Sequence, residues 1–289
     1  MNMYLQLLAI IAPIAFVLTF ASSARAVEKD LSKGGKILLL GDSILDCHSG
    51  DARVENVMQK QLATMKPGVK FEVVNLARGG MWIGPADPGA AQGISKPLFD
   101  SPTTGWYFEV LKRCPKADAI AVLFGANDSK VYPPEEFGKK LSDLCDRLAK
   151  DYPDARVFLA TGMYLDPKHS GGHWIEPSHV KGFKQGDSRN AYLLPYFEQT
   201  RELAKKRGFG LADLCKRVQA ETEAGNWDLR MRSDNSLDAS KDAEHPGDMG
   251  WFGNIHANYK GTAVIADLLI KAILGMDALK PLPKADAAK

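Results

Sequence analysis

The stretch KILLLGDSILDCHSG, Lys36 to Gly50, decides the fold. Lys36 leads into Ile37, Leu38, Leu39 and Leu40, and Gly41-Asp42-Ser43 ends the run. A short, continuous apolar segment closed by glycine has the character of a strand buried on both faces. A serine at the tip of such a strand has two readings. Its hydroxyl caps a following helix, or it is a nucleophile held at the edge of a sheet. What else reaches that edge decides between them.

Working outward, strand-like and helix-like segments alternate to the C-terminus. Strands are expected at residues 36–40, 69–75, 119–124, 155–161 and 210–213. Helices are expected at 53–65, up to 113, at 134–151, up to 207, at 215–224 and at 257–274. Gly/Pro-rich or polar loops fill 77–105, 166–187 and 225–255. This alternation predicts a mostly parallel central sheet with helices on both faces, a three-layer α/β/α domain over residues 36–275. Ligands of such sheets bind beyond the carboxyl ends of the strands. Polar residues that follow strands are therefore the ones to examine.

Four stretches qualify: Ser43 after the first strand, NLARGG (Asn75–Gly80) after the second, GAND (Gly125–Asp128) after the third, and NIHANYKG (Asn254–Gly261) opening the last helix. Their chemistry is complementary. A serine hydroxyl becomes a nucleophile when a base takes its proton, and His256 is the residue type for that task. Attack on an ester creates an oxyanion that needs placed donors. Gly80 offers a backbone N–H with no side chain in the way, and Asn127 offers an amide. The N–H of Ser43 is expected at a helix start, where donors are unpaired.

Gly41-Asp42-Ser43-Ile44, Gly80, Gly125-x-Asn127-Asp128 and His256 together resemble the four blocks of the SGNH, or GDSL-type, hydrolases. The resemblance spans about residues 36–274. It implies a flavodoxin-like α/β fold and a metal-independent carboxylic-ester hydrolase without a cofactor. It also implies Ser43 as nucleophile, His256 as base, and Ser43, Gly80 and Asn127 as the oxyanion hole. Gly41, Asp42 and Asp128 become supports of the motif, with Asp42 bracing the nucleophile turn. One position departs from the pattern. The family's last block is Asp-x-x-His, and here Gly253 stands where the Asp belongs. In the serine-protease template, neutralising the orienting acid lowers kcat about ten-thousandfold. Three arrangements answer the gap. A backbone carbonyl near residues 251–253 orients the histidine, giving a dyad. Alternatively Asp248 supplies the acid, with Asp242 and Glu244 behind it. Or the domain binds without cutting.

The 289 residues carry a formal net charge of +2 and no Lys/Arg tract, so nothing points to a nucleic-acid partner. Residues 1–26 are an apolar run ending in Ala24-Arg25-Ala26, an A-x-A cleavage pattern. We expect an exported, periplasmic or secreted chain starting at Val27, with a lead-in over 27–35 and a polar tail over 276–289. With the leader removed, no stable membrane insertion is expected; an uncleaved anchor is the competing reading, because no Lys or Arg precedes the run. Cys47, Cys114, Cys145 and Cys215 permit two disulfides in any of three pairings, or four buried thiols.

The substrate is expected from the loops. Met81, Trp82, Trp174, Trp227, Trp251 and Phe252 lie in or beside them. Flat rings near a polar cleft suit sugar faces as well as acyl chains. His169, His173 and His179 read as surface loop rather than metal ligands. A small-molecule or polysaccharide ester is the expected partner, first a carbohydrate O-acetyl ester. Short-chain lipid esters, thioesters and acyl transfer follow, and a non-catalytic glycan-binding domain is the reading from a different class.

Overall fold

The computed structural model describes residues 30–46, 50–84, 96–101, 103–164, 189–224, 231–232, 251–252, 257 and 259–281. In chain order the elements are β1 (Gly35–Gly41), α1 (Val54–Met65), β2 (Phe71–Asn75), β3 (Met81–Trp82), β4 (Lys96–Pro97), α2 (Trp106–Arg113), β5 (Ala119–Leu123), α3 (Pro134–Asp151), β6 (Arg156–Ala160), α4 (Arg189–Arg207), β7 (Gly210–Ala212), α5 (Leu214–Glu223), β8 (Met231–Arg232), β9 (Trp251–Phe252) and α6 (Tyr259–Ile273).

The main sheet has five strands in the order β2-β1-β5-β6-β7, and every pairing is parallel. Its register sets Gly41 beside Leu123 and Leu39 beside Asn75. The order reverses between β1 and β5, which makes that junction the switch point where open α/β sheets bind ligands. Right-handed crossovers to opposite sides of β1 place α1 and α3 on opposite faces. Each face is closed by a helix pair, α1 packing on α6 and α3 on α4. Ile37 to Leu40 are fully buried, as are the β5 residues between the two layers, which explains their unbroken apolar runs.

Local chemistry sets the boundaries. Pro134 starts α3, where its missing N–H is no loss, and Glu135 and Glu136 follow in the first turn. Phe137, Leu141, Leu144 and Leu148 then recur along one buried stripe. β7 ends at Ala212 because Asp213 caps α5, accepting the N–H of Arg217 on its carbonyl and that of Lys216 on its carboxylate. Within segments that read as loop, two-residue parallel ladders join β3 to β4 and β8 to β9, too short to leave a periodic signal.

Cys114, Cys145 and Cys215 are free and buried, so they form no disulfide with one another; Cys47 lies outside the described residues. Burial raises the pKa of all three thiols, that of Cys145 to about 12. Among the described residues no helix is long and apolar enough to cross a membrane. The segment expected as a leader lies outside them.

Candidate active site

The strand that carries Ser43 leaves the sheet through Gly41. A Cβ there would lie 2.4 Å from the Leu123 carbonyl oxygen, so only glycine lets β1 and β5 approach this closely. Asp42 follows, fully buried, and its Oδ1 accepts the Ile44 N–H at 2.9 Å. The Leu45 N–H then bonds the Asp42 carbonyl and the Asp46 N–H bonds the Ser43 carbonyl. Ser43 therefore sits in a tight turn, partly exposed. It does not open α1, which begins at Val54 behind Arg53. The expected helix start at Ser43 is thus corrected: a carboxylate-braced turn, not a helix dipole, shapes this corner.

The loop after β2 closes over the turn. Its ladder to β1 continues past the strand, Leu76 N–H to the Leu39 carbonyl and Arg78 N–H to the Gly41 carbonyl, both at 3.0 Å. A Cβ on Gly79 would lie 3.9 Å from the Ser43 Cβ, so the two residues face each other. Gly80 has φ +72°, a left-handed conformation that favours glycine, and a bond from Met81 N–H to the Arg78 carbonyl closes the turn around it.

The third loop, after β5, is fastened to the second. Asn127 is buried and its Nδ2 donates to the Met81 carbonyl at 3.1 Å. Asp128, fully buried, accepts the Ile83 N–H at 2.9 Å on one oxygen and the Gly125 N–H at 3.0 Å on the other. From the far side, Tyr192 and Tyr196 of α4 donate to the Ser129 carbonyl. The loops after β1, β2 and β5 are thus knitted together at the switch point. Burial pushes the Asp42 carboxyl up to about 7, with the Ile44 bond opposing and the nearby Asp128 charge reinforcing. Burial likewise raises Asp128 to about 6 against its backbone bonds.

Of the residues expected at the site, Ser43, Gly80, Asn127, Gly41, Asp42 and Asp128 converge here. His256, Asp248 and Gly253 lie outside the described residues, as do His169, His173 and His179. Among the described residues no group of three or more His, Cys, Asp or Glu could hold a metal ion. Sequence reasoning missed the polar contacts beneath the loops. Asn75 spends both amide protons, on the Leu45 carbonyl at 2.7 Å and Glu55 at 2.8 Å, and takes the Ala77 N–H on its oxygen. An asparagine ending an apolar strand was the available signal.

The sequence pattern of the GDSL-like Lipase/Acylhydrolase family matches residues 39–264. Among solved structures, the acetyl xylan esterase AlAXEase is similar over 82% of this chain and 99% of its own, at 18% identity and a TM-score of 0.52. Axe2, an acetylxylan esterase from Geobacillus stearothermophilus, is similar over 87% of this chain and 99% of its own, at 15% identity and a TM-score of 0.54. At such identities the likeness is one of fold. None of the curated proteins matches the sequence.

Proposed function

The chain belongs to the GDSL-like lipase/acylhydrolase family, and from that premise we propose that it is a serine ester hydrolase working through an acyl-enzyme on Ser43. The observation that carries the proposal is the close approach of the Gly79–Gly80 turn to Ser43, with room for no more than a Cβ between them, in a loop whose next residue, Met81, holds the Asn127 amide. Ser43 Oγ attacks the acyl carbonyl while His256 takes its proton. The carbonyl electrons move onto oxygen, where the N–H groups of Ser43 and Gly80 and the Asn127 amide meet them. An amide nitrogen has two protons; one is spent on Met81, and the other is the donor in this reading. The C–O bond to the leaving group then breaks, and His256 returns the proton to the departing alcohol. Water repeats the sequence on the acyl-enzyme and releases the acid. A backbone carbonyl near residues 251–253, or Asp248, orients the histidine.

Small acyl esters are the proposed substrates, carbohydrate O-acetyl groups first. The aromatic residues of the flanking loops support this, as does the fold shared with two acetyl xylan esterases. The chain is proposed to act outside the cytoplasm after removal of residues 1–26. The test uses the chain from Val27 with p-nitrophenyl acetate, p-nitrophenyl octanoate and acetylated xylan, and Ser43→Ala as control. We expect acetate turnover that Ser43→Ala abolishes, and acetate release from the polysaccharide. A diethyl phosphate adduct on the Ser43 peptide after treatment with diethyl p-nitrophenyl phosphate would identify the nucleophile. Octanoate preference moves the substrate to lipids; no turnover above the Ser43→Ala control overturns the proposal.

A further inference from the structure

Beside the nucleophile turn, the side chain of Asp46 reaches across to the loop after β2. Its Oδ2 accepts the Gly79 N–H at 3.1 Å, and its Oδ1 lies 3.5 Å from Nη2 of Arg53. Arg53 Nε also donates to Glu55, whose other oxygen takes the Asn75 amide at 2.8 Å. The second Asn75 amide proton returns to the Leu45 carbonyl, one residue before Asp46. The contacts close a ring from the nucleophile turn through the start of α1 and the end of β2 back to the nucleophile turn, and from that ring Asp46 holds the glycine turn. Arg53 is the one cation in the ring and faces both carboxylates, its guanidinium lying beside Asp46 and donating to Glu55.

We infer that Asp46 is a positioning residue for the hydrolysis proposed above, and the inference rests on that reading. Gly79 and Gly80 are adjacent, and each carries an N–H within the turn that faces Ser43. Asp46 takes the Gly79 N–H, which leaves the N–H of the left-handed Gly80 as the donor in this reading. The bond selects which glycine donates to the oxyanion and fixes that donor relative to Ser43. Such placement acts in the transition state more than in substrate binding, because the donor is needed where charge develops.

The test compares wild type, Asp46→Ala and Asp46→Asn with p-nitrophenyl acetate. Displacing a catalytic group by about 1 Å costs on the order of a hundredfold. We expect Asp46→Ala to lower kcat by about 10- to 100-fold with KM within about twofold of wild type. Asp46→Asn keeps an acceptor for the Gly79 N–H and is expected to recover most of that loss. A kcat for Asp46→Ala within twofold of wild type overturns the inference. Equal losses in the two variants, or a loss confined to KM, overturn it as well. Should Asp46→Ala not fold, Asp46→Ser, polar but too short to hold Gly79, takes its place with the same expectation. Wild-type turnover that depends on Ser43 is measured first, and its absence defeats the functional reading alone. Amide exchange then judges the brace separately: the Gly79 N–H should exchange at least about tenfold faster in Asp46→Ala than in wild type, and equal rates defeat it.

Discussion

Two buried carboxyls support the nucleophile corner, and they differ in what their second oxygen does. Both Asp128 oxygens accept backbone N–H groups, whereas Asp42 Oδ2 has no partner among the described residues. Exchanging oxygen for an NH₂ group therefore has opposite consequences at the two sites. In Asp128→Asn one N–H must face another donor, and we expect a loss of about 1–3 kcal/mol in unfolding free energy, read from denaturant melts. Asp42→Asn keeps the acceptor for Ile44 and removes a buried ionisation. With a folded pKa of about 7 against an ordinary value of 3.8, the folded chain holds a proton that the unfolded chain releases. Stability present below pH 3.8 is thus lost as pH rises toward 7, by about 1.4 kcal/mol per unit at most, and is constant above. The Tm advantage of Asp42→Asn over wild type should widen between about pH 4 and 7 and then level off. A gap that is flat across that range, or that narrows, would contradict the account. Gly41→Ala meets a backbone oxygen that cannot move aside, and should cost about 1–3 kcal/mol or more.

Among the elements, α4 governs the Asn127–Asp128 loop without contributing a residue to it. Tyr196 donates to the Tyr132 carbonyl at 2.5 Å and to that of Ser129 at 3.4 Å, and Tyr192 shares the latter. These hydroxyls hold the loop by its carbonyls while Asp128 holds it by its N–H groups. Tyr196→Phe keeps the ring packed against Phe137 and removes only the hydroxyl. We expect a stability loss of about 1–2 kcal/mol and a several-fold fall in kcat, measured by thermal melting and steady-state kinetics. A fall in stability with unchanged kcat would confine α4 to a scaffold role. Helices α1, α3 and α6 read correctly from sequence because their apolar stripes are long. The ladders β3–β4 and β8–β9 did not, since two residues carry no period.

For the molecule as a whole, the packing of α5 against α6 depends on one charged residue. Arg217 is fully buried and joins Glu221 at 2.8 Å, Asp267 of α6 at 2.6 Å and the Ala278 carbonyl at 2.7 Å. Lys271 completes the cluster at 2.9 Å from Asp267. It fastens α5, α6 and the chain beyond α6 to one another. Breaking such a network from one side leaves carboxylates buried without their cation, at a cost of about 3–5 kcal/mol. Arg217→Met should lower Tm by roughly 10 °C while kcat at low temperature stays near the wild-type value, because none of its partners lies in the loops after β1, β2 and β5. A Tm within about 2 °C of wild type would show that the cluster contributes little.

Much of this was legible in the sequence, for reasons that are local. Period and composition mark strands and helices, and a glycine or polar residue after a buried strand marks the edge where Ser43, Gly80 and Asn127 gather. Those signals need only neighbours along the chain, so the α/β class and the candidate residues follow from the sequence alone. Strand order, and with it the switch point between β1 and β5, was settled by packing. So was the turn at Ser43, where a helix start was expected: the buried Asp42 carboxylate binds Ile44 and leaves α1 to begin at Val54. Asp46, Arg53, Glu55 and Asn75 close their ring across three segments of the chain, with Gly79 held to Asp46, and Arg217 finds its partners across two helices. Contacts of that kind impose no period on the sequence. They exist only once the sheet has brought distant residues within hydrogen-bond reach.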